Sequence, residues 1–321
     1  MNRLGKVSIL CAALCVALAA MAVGAAAAKP HGGKGAKKEK PTVARLDPSF
    51  GTGGTTTVAT PKPFNEEGRE IDPSTHTAVA PSDKSYVLQG QTVVGFGADG
   101  KPDQKFGTHG RVTVKPGPGL VISVNGIAVD SRGRVLVAGT YEPTPGFKNP
   151  IAKGTDEPLY FGNSAATEAF VTRYLPTGRP DPTFGSGGTA ITALGVPVPN
   201  NQPEAEKPAT AEYERPIVTI TAVGVDSGDR PVLAGAYVYA EKTCIHKQEF
   251  TRSIVARLTA SGGIDTSFGN GGFSVIPGEK AFALARGPHG EWAAFGQRER
   301  GCYNDLSPFY SDLAVVSEAG T

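Results

Sequence analysis

The chain has 321 residues, with 32 Lys or Arg against 30 Asp or Glu, which gives a formal net charge of +2 at pH 7. A sequence this close to neutrality lacks the basic field that nucleic-acid binding requires, so we expect no nucleic-acid partner. The chain is long enough to form one domain with a large core.

Residues 1–28 have the pattern of a secretory signal peptide. Arg3 and Lys6 form a short basic start, residues 7–27 are apolar, and four alanines precede Lys29. Small residues at this position suit cleavage by signal peptidase. We therefore expect a secreted or cell-surface protein. An uncleaved membrane anchor is the alternative, because the apolar run approaches the length that spans a bilayer.

Residues 29–42 are predicted to form a basic, disordered linker. Five lysines against one glutamate, with glycine and proline between them, cannot bury a core. A solvated spacer is one interpretation, and weak attachment to an anionic envelope polymer or lipid surface is the other. Residues 43–321 would then form a single repeat domain.

One nine-residue motif occurs four times, and each copy contains an aspartate, a Phe-Gly pair and a glycine-rich turn. The copies are LDPSFGTGG at 46–54, PDQKFGTHG at 102–110, PDPTFGSGG at 180–188 and IDTSFGNGG at 264–272. Recurrence of this kind indicates a repeat architecture, in which each unit buries its faces against its neighbours.

Four short segments with strand-like composition follow each motif. In the second repeat they are 111–116, 124–130, 134–139 and 169–175, and Gly, Pro or Asp residues bound them. One sheet of four antiparallel strands per repeat predicts an all-β fold, a β-propeller of about four blades. Because the chain stops where a fifth motif would begin, we expect the N-terminal motif to close the ring. An open arc that dimerises, or a shortened member of a larger family, is the alternative.

The repeated residues of the motif are interpreted as structural. The phenylalanines are expected to fill the space between blades, and the aspartates to accept backbone hydrogen bonds in turns. A phosphate-binding loop is disfavoured because no helix follows the glycines. The residues concerned are Phe50, Phe106, Phe184, Phe268, Asp47, Asp103, Asp181 and Asp265.

These motifs resemble the delta-60 repeat family of bacterial exported proteins. The resemblance covers all four repeats and is clearest in LDPSFGTGG, in IAVDSRGRVLVAG at 127–139 and in FVTRYLPTGRPDPTFGSGG at 170–188. It implies a propeller-type fold outside the cytoplasm and no particular activity. The fourth repeat departs from the pattern, with ARGPHGEW at 285–292.

All long insertions are expected on one face of the propeller, at 61–76, 141–167, 195–216, 237–251 and 297–310. Elaborated loops on a repeat scaffold are typical of a binding face, and tyrosine suits protein, peptide or sugar surfaces. Packing of the tyrosines onto the rim is the alternative. The candidate binding residues are Tyr141, Tyr160, Tyr213, Tyr237, Tyr239, Tyr303 and Tyr310.

Cys244 and Cys302 are the only cysteines beyond the signal segment. They fall in equivalent loops of neighbouring repeats, and an oxidising compartment favours a disulfide between them. Free thiols or a metal site with His246 are the alternatives, although no CxxC or HxxxH spacing supports a metal.

No catalytic motif is found, whether a G-x-S-x-G elbow, HExxH, a Walker loop or an EF-hand loop. The runs that directly follow the motifs are rich in Thr and Val, so a channel lined by them would lack catalytic groups. We therefore expect a monomeric binding or scaffold protein for an extracellular protein, peptide or glycan, with no cofactor or metal. A propeller hydrolase or lyase acting on an extracellular sugar or lactone, or a purely structural envelope component, is the alternative.

Overall fold

The computed structural model describes residues 46–58, 75–118, 120–142, 167–192, 194, 217–241, 248–276, 280–298 and 310–321. The predicted signal peptide and linker lie outside these residues. Four antiparallel sheets are arranged as a four-bladed β-propeller, which confirms the predicted fold class. Within the described residues, no helix is long and apolar enough to cross a membrane.

Fifteen strands build the four sheets. Blade 1 contains β1 (Thr75–Val79), β2 (Ser85–Gln89), β3 (Thr92–Phe96) and β4 (Arg111–Thr113). Blade 2 contains β5 (Leu120–Val129), β6 (Val135–Glu142), β7 (Glu168–Tyr174) and β8 (Thr189–Thr192). Blade 3 contains β9 (Ile217–Val225), β10 (Pro231–Glu241), β11 (Gln248–Arg257) and β12 (Phe273–Ile276). Blade 4 contains β13 (Lys280–Arg286), β14 (Trp292–Arg298) and β15 (Tyr310–Val316).

The predicted grouping of strands into blades was wrong by one strand. The strand that follows each motif pairs with the strand before it, as in the pairing of Val171 on β7 with Ala190 on β8. The motif therefore connects the third and fourth strands of one blade and does not lie between blades. The shift arises because strand pattern alone does not reveal the pairing partner of a segment.

The first strand of each sheet lies next to the first strand of the following sheet, in the order β1, β5, β9, β13. Side chains join them across the gap: Asn125 on β5 donates to the Ile220 carbonyl on β9 at 3.0 Å. β4, β8 and β12 each form the far edge of their sheet. These Thr- and Val-rich strands therefore do not line the axis, and the inference that a channel lined by them would lack catalytic groups does not apply.

Apolar side chains fill the spaces between successive blades. One cluster joins blades 1 and 2, a second joins blades 2 and 3, and a third joins blades 3 and 4. The motif phenylalanines Phe106, Phe184 and Phe268 lie in these clusters with no solvent exposure. Stacking therefore buries the sheet faces that a single blade would leave in water.

The Phe-Gly pair of every motif is also tied to a neighbouring blade by one recurring hydrogen bond. The glycine N–H donates to a carbonyl in the turn that follows the third strand of that blade. The bonds are Gly51 to Asp99 (2.7 Å), Gly107 to Thr177 (2.8 Å), Gly185 to Ser261 (2.8 Å) and Gly269 to Ala319 (2.7 Å). The N-terminal motif therefore docks on blade 1 as the others dock on blades 2 to 4.

Candidate functional site

The two ends of the propeller differ in how their strands are connected. At one end, here called the turn end, lie the short turns 80–84, 130–134, 226–230 and 287–291 together with the motifs. At the other, here called the loop end, are the strand ends that border the connections 59–74, 143–166, 195–216, 242–247 and 299–309, which are not themselves described. The strand ends that border the long predicted insertions all lie at the loop end, because antiparallel strands alternate in direction.

Two candidate binding tyrosines are core residues. Tyr141 belongs to β6 and is 2% exposed, and Tyr237 belongs to β10 and is 1% exposed. Their assignment to a binding surface was wrong, because β6 and β10 continue beyond the points where insertions were predicted to begin. Both rings instead extend the apolar clusters between blades towards the loop end.

Of the remaining candidate binding tyrosines, the structure describes two. Tyr239 pairs with Phe250 in the β10–β11 ladder, and Tyr310 is the first residue of β15, opposite Arg298. Tyr160, Tyr213 and Tyr303 lie outside the described residues, as do Cys244 and Cys302. The predicted disulfide therefore stays a prediction.

β10 and β11 pair over ten positions, up to Glu241 and Gln248, so this hairpin reaches far into the loop end.

The turn end is organised by buried ion pairs that the sequence reasoning did not identify. Arg134 is 8% exposed and its Nε lies 2.5 Å from Asp130 Oδ2, within the same turn. Its two terminal nitrogens lie 3.4 Å from Asp181 of the motif and from Asp229 of blade 3. One guanidinium group thus holds together a turn, a motif and the neighbouring blade.

Arg173, on β7, makes a second set of contacts with the same motif. Its Nε lies 2.9 Å from Asp181 Oδ2, and its Nη1 donates to the Ala260 carbonyl of blade 3 at 2.7 Å. The guanidinium carbon lies 4.4 Å from the centroid of the Phe184 ring. Arg173 is 1% exposed, so its charge is neutralised by Asp181 and its remaining donors are directed to neighbouring oxygens.

Blade 3 repeats this arrangement with different residues. Arg257 Nε lies 2.7 Å from Asp265, its Nη1 donates to the Glu318 carbonyl of blade 4, and its guanidinium covers the Phe268 ring at 4.7 Å. Arg230 pairs with Asp226 at 2.7 Å and with Asp265 at 3.2 Å. The repetition shows that the motif aspartate has two functions. One oxygen stabilises the motif turn and the other binds arginine.

The electrostatics of the motif aspartates follow from these partners. Burial alone would raise the pKa of Asp181, but hydrogen bonds from Thr183 and the charge of Arg173 outweigh it and hold this pKa below its usual value. The pKa of Asp265 is lowered in the same way against burial, by Ser267 and Arg257. These carboxylates are therefore held ionised, which suits a structural ion pair rather than a proton donor.

Blades 1 and 4 depart from the pattern. In blade 1, Lys84 replaces the first arginine and lies 2.8 Å from Asp103, and Gly95 occupies the position of Arg173. In blade 4, the turn contains Gly287 and Glu291 in place of the aspartate and arginine, and Glu291 Oε2 accepts the His289 N–H at 2.9 Å. The Glu291 carboxylate thus takes over the turn-stabilising function of Asp130. This explains how the divergent ARGPHGEW segment still forms a turn.

A cleft of about 470 Å³ opens at the turn end between blades 1 and 2. Tyr86 lines it, is 1% exposed, and its hydroxyl has no hydrogen-bond partner among the described residues. Burial raises the pKa of this hydroxyl, so it remains protonated. The walls are mostly apolar. The lining residues are Pro81, Ser82, Lys84, Tyr86, Ser131, Arg132, Gly133 and Pro176.

The arginines missed by the sequence reasoning do have a signal in the repeats. Arg134 and Arg230 both stand four residues after an aspartate, and Arg173 and Arg257 both stand eight residues before the motif aspartate. Alignment of the second and third repeats would have shown them as paired positions. Within the described residues, no group of three or more His, Cys, Asp or Glu side chains is arranged to hold a metal ion.

No protein-family model matches this chain, and no curated protein matches it.

Proposed function

We propose that this protein is an exported propeller that binds a glycan or peptide ligand through its loop end. The observation that carries the proposal is the contrast between the two ends. Four short turns and the motifs form the turn end with nearly constant geometry, whereas the loop-end connections vary from two residues at 90–91, between β2 and β3, to twenty-four at 143–166. Variable connections on a constant scaffold are typical of binding surfaces.

The chemistry of the turn end supports this assignment. The carboxylates of Asp130, Asp181, Asp226 and Asp265 accept bonds from arginines and from backbone N–H groups. Charged residues that form ion pairs between blades stabilise the fold, so replacing them to bind a ligand would destabilise the protein. The sequence of the loop-end connections can vary without this loss of stability, because these connections begin beyond the ends of the paired strands.

The composition of the loop end supports the ligand class. Tyr160, Tyr213 and Tyr303 fall in its connections. Tyrosine combines a large apolar face with a hydroxyl, which suits the faces and hydroxyl groups of sugars and the side chains of peptides. The apolar segment at 7–27 and the resemblance to exported repeat proteins support a location outside the cytoplasm.

The proposal is tested by shortening one loop-end connection. Glu241 and Gln248 are paired, so an Asn-Gly turn can join them in place of residues 242–247. Cys302→Ser accompanies the change, since Cys244 is removed with the segment. Wild type and variant are applied to a glycan array and a peptide array. We expect wild type to bind one ligand class and the shortened variant to lose on the order of tenfold or more in affinity.

The matched control is Lys101→Ala at the turn end, whose side chain is 77% exposed. It should bind as wild type does. Absence of binding on both arrays would contradict the proposal. Binding that survives shortening of the connection would contradict the assignment to this part of the loop end.

A further inference from the structure

The N-terminal motif is fully formed, but within residues 46–58 it joins none of the described sheets, whereas its counterparts each belong to one. Phe50 N–H donates to Asp47 O and Gly54 N–H donates to Phe50 O, as in the motifs of blades 2 and 3. In those motifs the aspartate N–H also donates to the third strand of its own sheet, as Asp181 does to Arg173 at 2.9 Å. Among the described residues, the Asp47 N–H and the Gly54 carbonyl have no equivalent partner.

Blade 4 has a strand edge with no described partner, which complements the unpaired groups of the N-terminal motif. Its third strand, β15, pairs with β14 on one side, and no described strand lies on the other. Counting back from the turn glycine, Val315 precedes Gly320 by five residues, as Arg173 precedes Gly178 and Arg257 precedes Gly262. Arg173 and Arg257 each exchange two backbone bonds with a motif, accepting from the aspartate N–H and donating to the last glycine carbonyl. Val315 is therefore the position at which a motif would dock.

The face of blade 4 that points away from blade 3 is apolar and exposed. Leu313 is 69% exposed, Val315 is 63% exposed and Phe295 is 39% exposed. Val171 and Val255, the counterparts of Leu313 in blades 2 and 3, are buried at 1% and 0%. In those blades the next blade covers this face, so blade 4 has the surface of an inter-blade contact but no neighbour on it among the described residues.

Blade 1 also has uncovered apolar side chains, on the side that points away from blade 2. Val79 on β1 is 66% exposed and Leu46 of the N-terminal motif is 67% exposed, whereas Val94 and Phe96 of β3, on the same face as Val79, are 4% exposed. The end face of blade 1 is therefore exposed along β1 and buried along β3, and the N-terminal motif is held on blade 1 by the bond from Gly51 to Asp99. Blade 1 and its motif therefore offer an apolar surface and the free backbone groups of a motif, which are the two kinds of contact that blade 4 has unfilled.

We propose that a second copy of this chain docks its blade 1 and its N-terminal motif against blade 4 of the first copy. The Asp47 N–H of the second copy donates to the Val315 carbonyl, and the Val315 N–H donates to the Gly54 carbonyl. Leu313, Val315 and Phe295 are covered by the face that contains Val79. The same contact made at both ends of a pair closes a dimer. This inference does not depend on the ligand of the loop end.

The test uses the full chain, purified after export, and measures its mass in solution by light scattering over a range of concentrations. Wild type should have twice the mass of one chain. The variant Leu313→Glu/Val315→Glu should be a monomer, with the dissociation constant raised on the order of tenfold or more. Because both side chains are exposed in the single chain, its folding should not change, and circular dichroism checks this. Val275→Glu, at a 47% exposed position on β12, is the matched control and should remain dimeric.

A mixing experiment separates this contact from others. Leu46→Glu/Val79→Glu damages only the blade 1 side and should also be monomeric. Mixing it with Leu313→Glu/Val315→Glu should restore pairs, because each variant retains the end that the other needs. A dimer made through two blade 4 faces would not be restored in this way. A wild-type monomer at every concentration, whether open or closed on itself, would overturn the proposal.

Discussion

Arg173 and Asp181 lie eight residues apart in the chain, and their side chains meet at 2.9 Å in a position where neither is more than 2% exposed. Asp181 Oδ1 accepts from the Thr183 N–H and hydroxyl, while Oδ2 accepts from Arg173. Since Arg173 also donates to the Ala260 carbonyl of blade 3, the pair joins a motif, a strand and the adjacent blade. The same relationship between Arg257 and Asp265 joins blade 3 to blade 4.

Replacement of Arg173 by methionine should be strongly destabilising. The substitution leaves Asp181 buried with less compensation and removes the bond to blade 3. Loss of one partner of a buried ion pair typically costs about 3–5 kcal/mol in the free energy of unfolding. Urea denaturation of Arg173→Met against wild type measures the change.

Lys101→Met provides the control for that experiment. Lys101 pairs with Asp99 at 3.4 Å, but their side chains are 77% and 54% exposed, so water screens the interaction. Its urea midpoint should not differ measurably from that of wild type. If Arg173→Met behaved in the same way, the buried pair would not hold the blades together.

Stability should fall in acid. The pKa values of Asp103, Asp181 and Asp265 are lowered, against the effect of burial, by hydrogen bonds and by Lys84, Arg173 and Arg257. A lowered folded-state pKa contributes stability that is present above the ordinary aspartate value of about 3.9 and is lost as the pH falls through the folded value. The free energy of unfolding should therefore be constant near neutrality and decline below about pH 4. A rise in stability between pH 5 and pH 3 would contradict this assignment.

The fold was predictable because its signals are local and repeated. The motif, the turn glycines and the short β-branched segments recur, and their period indicates blades of a propeller. The pairing partner of the strand after each motif was not predictable, since Thr189–Thr192 has the same pattern whichever sheet receives it. Burial of Tyr237 was missed because the length of β10 is set by its pairing with β11, and the strand pattern of residues 231–241 does not reveal that partner. The ion pairs and hydrogen bonds of Arg134 and Arg173 involve a neighbouring blade, so the sequence of a single repeat does not predict them.

Gly224 should not tolerate alanine. A Cβ atom at this position of β9 would overlap a ring atom of Trp292, which is 2% exposed between blades 3 and 4. The ring cannot move away without disturbing this cluster, so we expect a loss of about 1–3 kcal/mol in the free energy of unfolding. Gly263→Ala is the control, because its Cβ would meet only Thr259 Oγ1 at 3.6 Å. Equal effects of the two substitutions in thermal denaturation would show that close packing against Trp292 is not the cause.

The predicted bridge between Cys244 and Cys302 makes a separate test of the loop end. The two residues fall in the connections 242–247 and 299–309, which follow the second strands of neighbouring blades and emerge at the same end. A disulfide there would join adjacent blades and contribute about 2–4 kcal/mol to stability. We expect a thiol assay of the denatured, unreduced mature protein, without residues 1–28, to detect no free cysteine, and reduction to release two thiols and lower the melting temperature. Cys244→Ser/Cys302→Ser should have the lower melting temperature without reductant. Two free thiols in the unreduced protein would show that the bridge does not form and that cores and ion pairs alone join the blades.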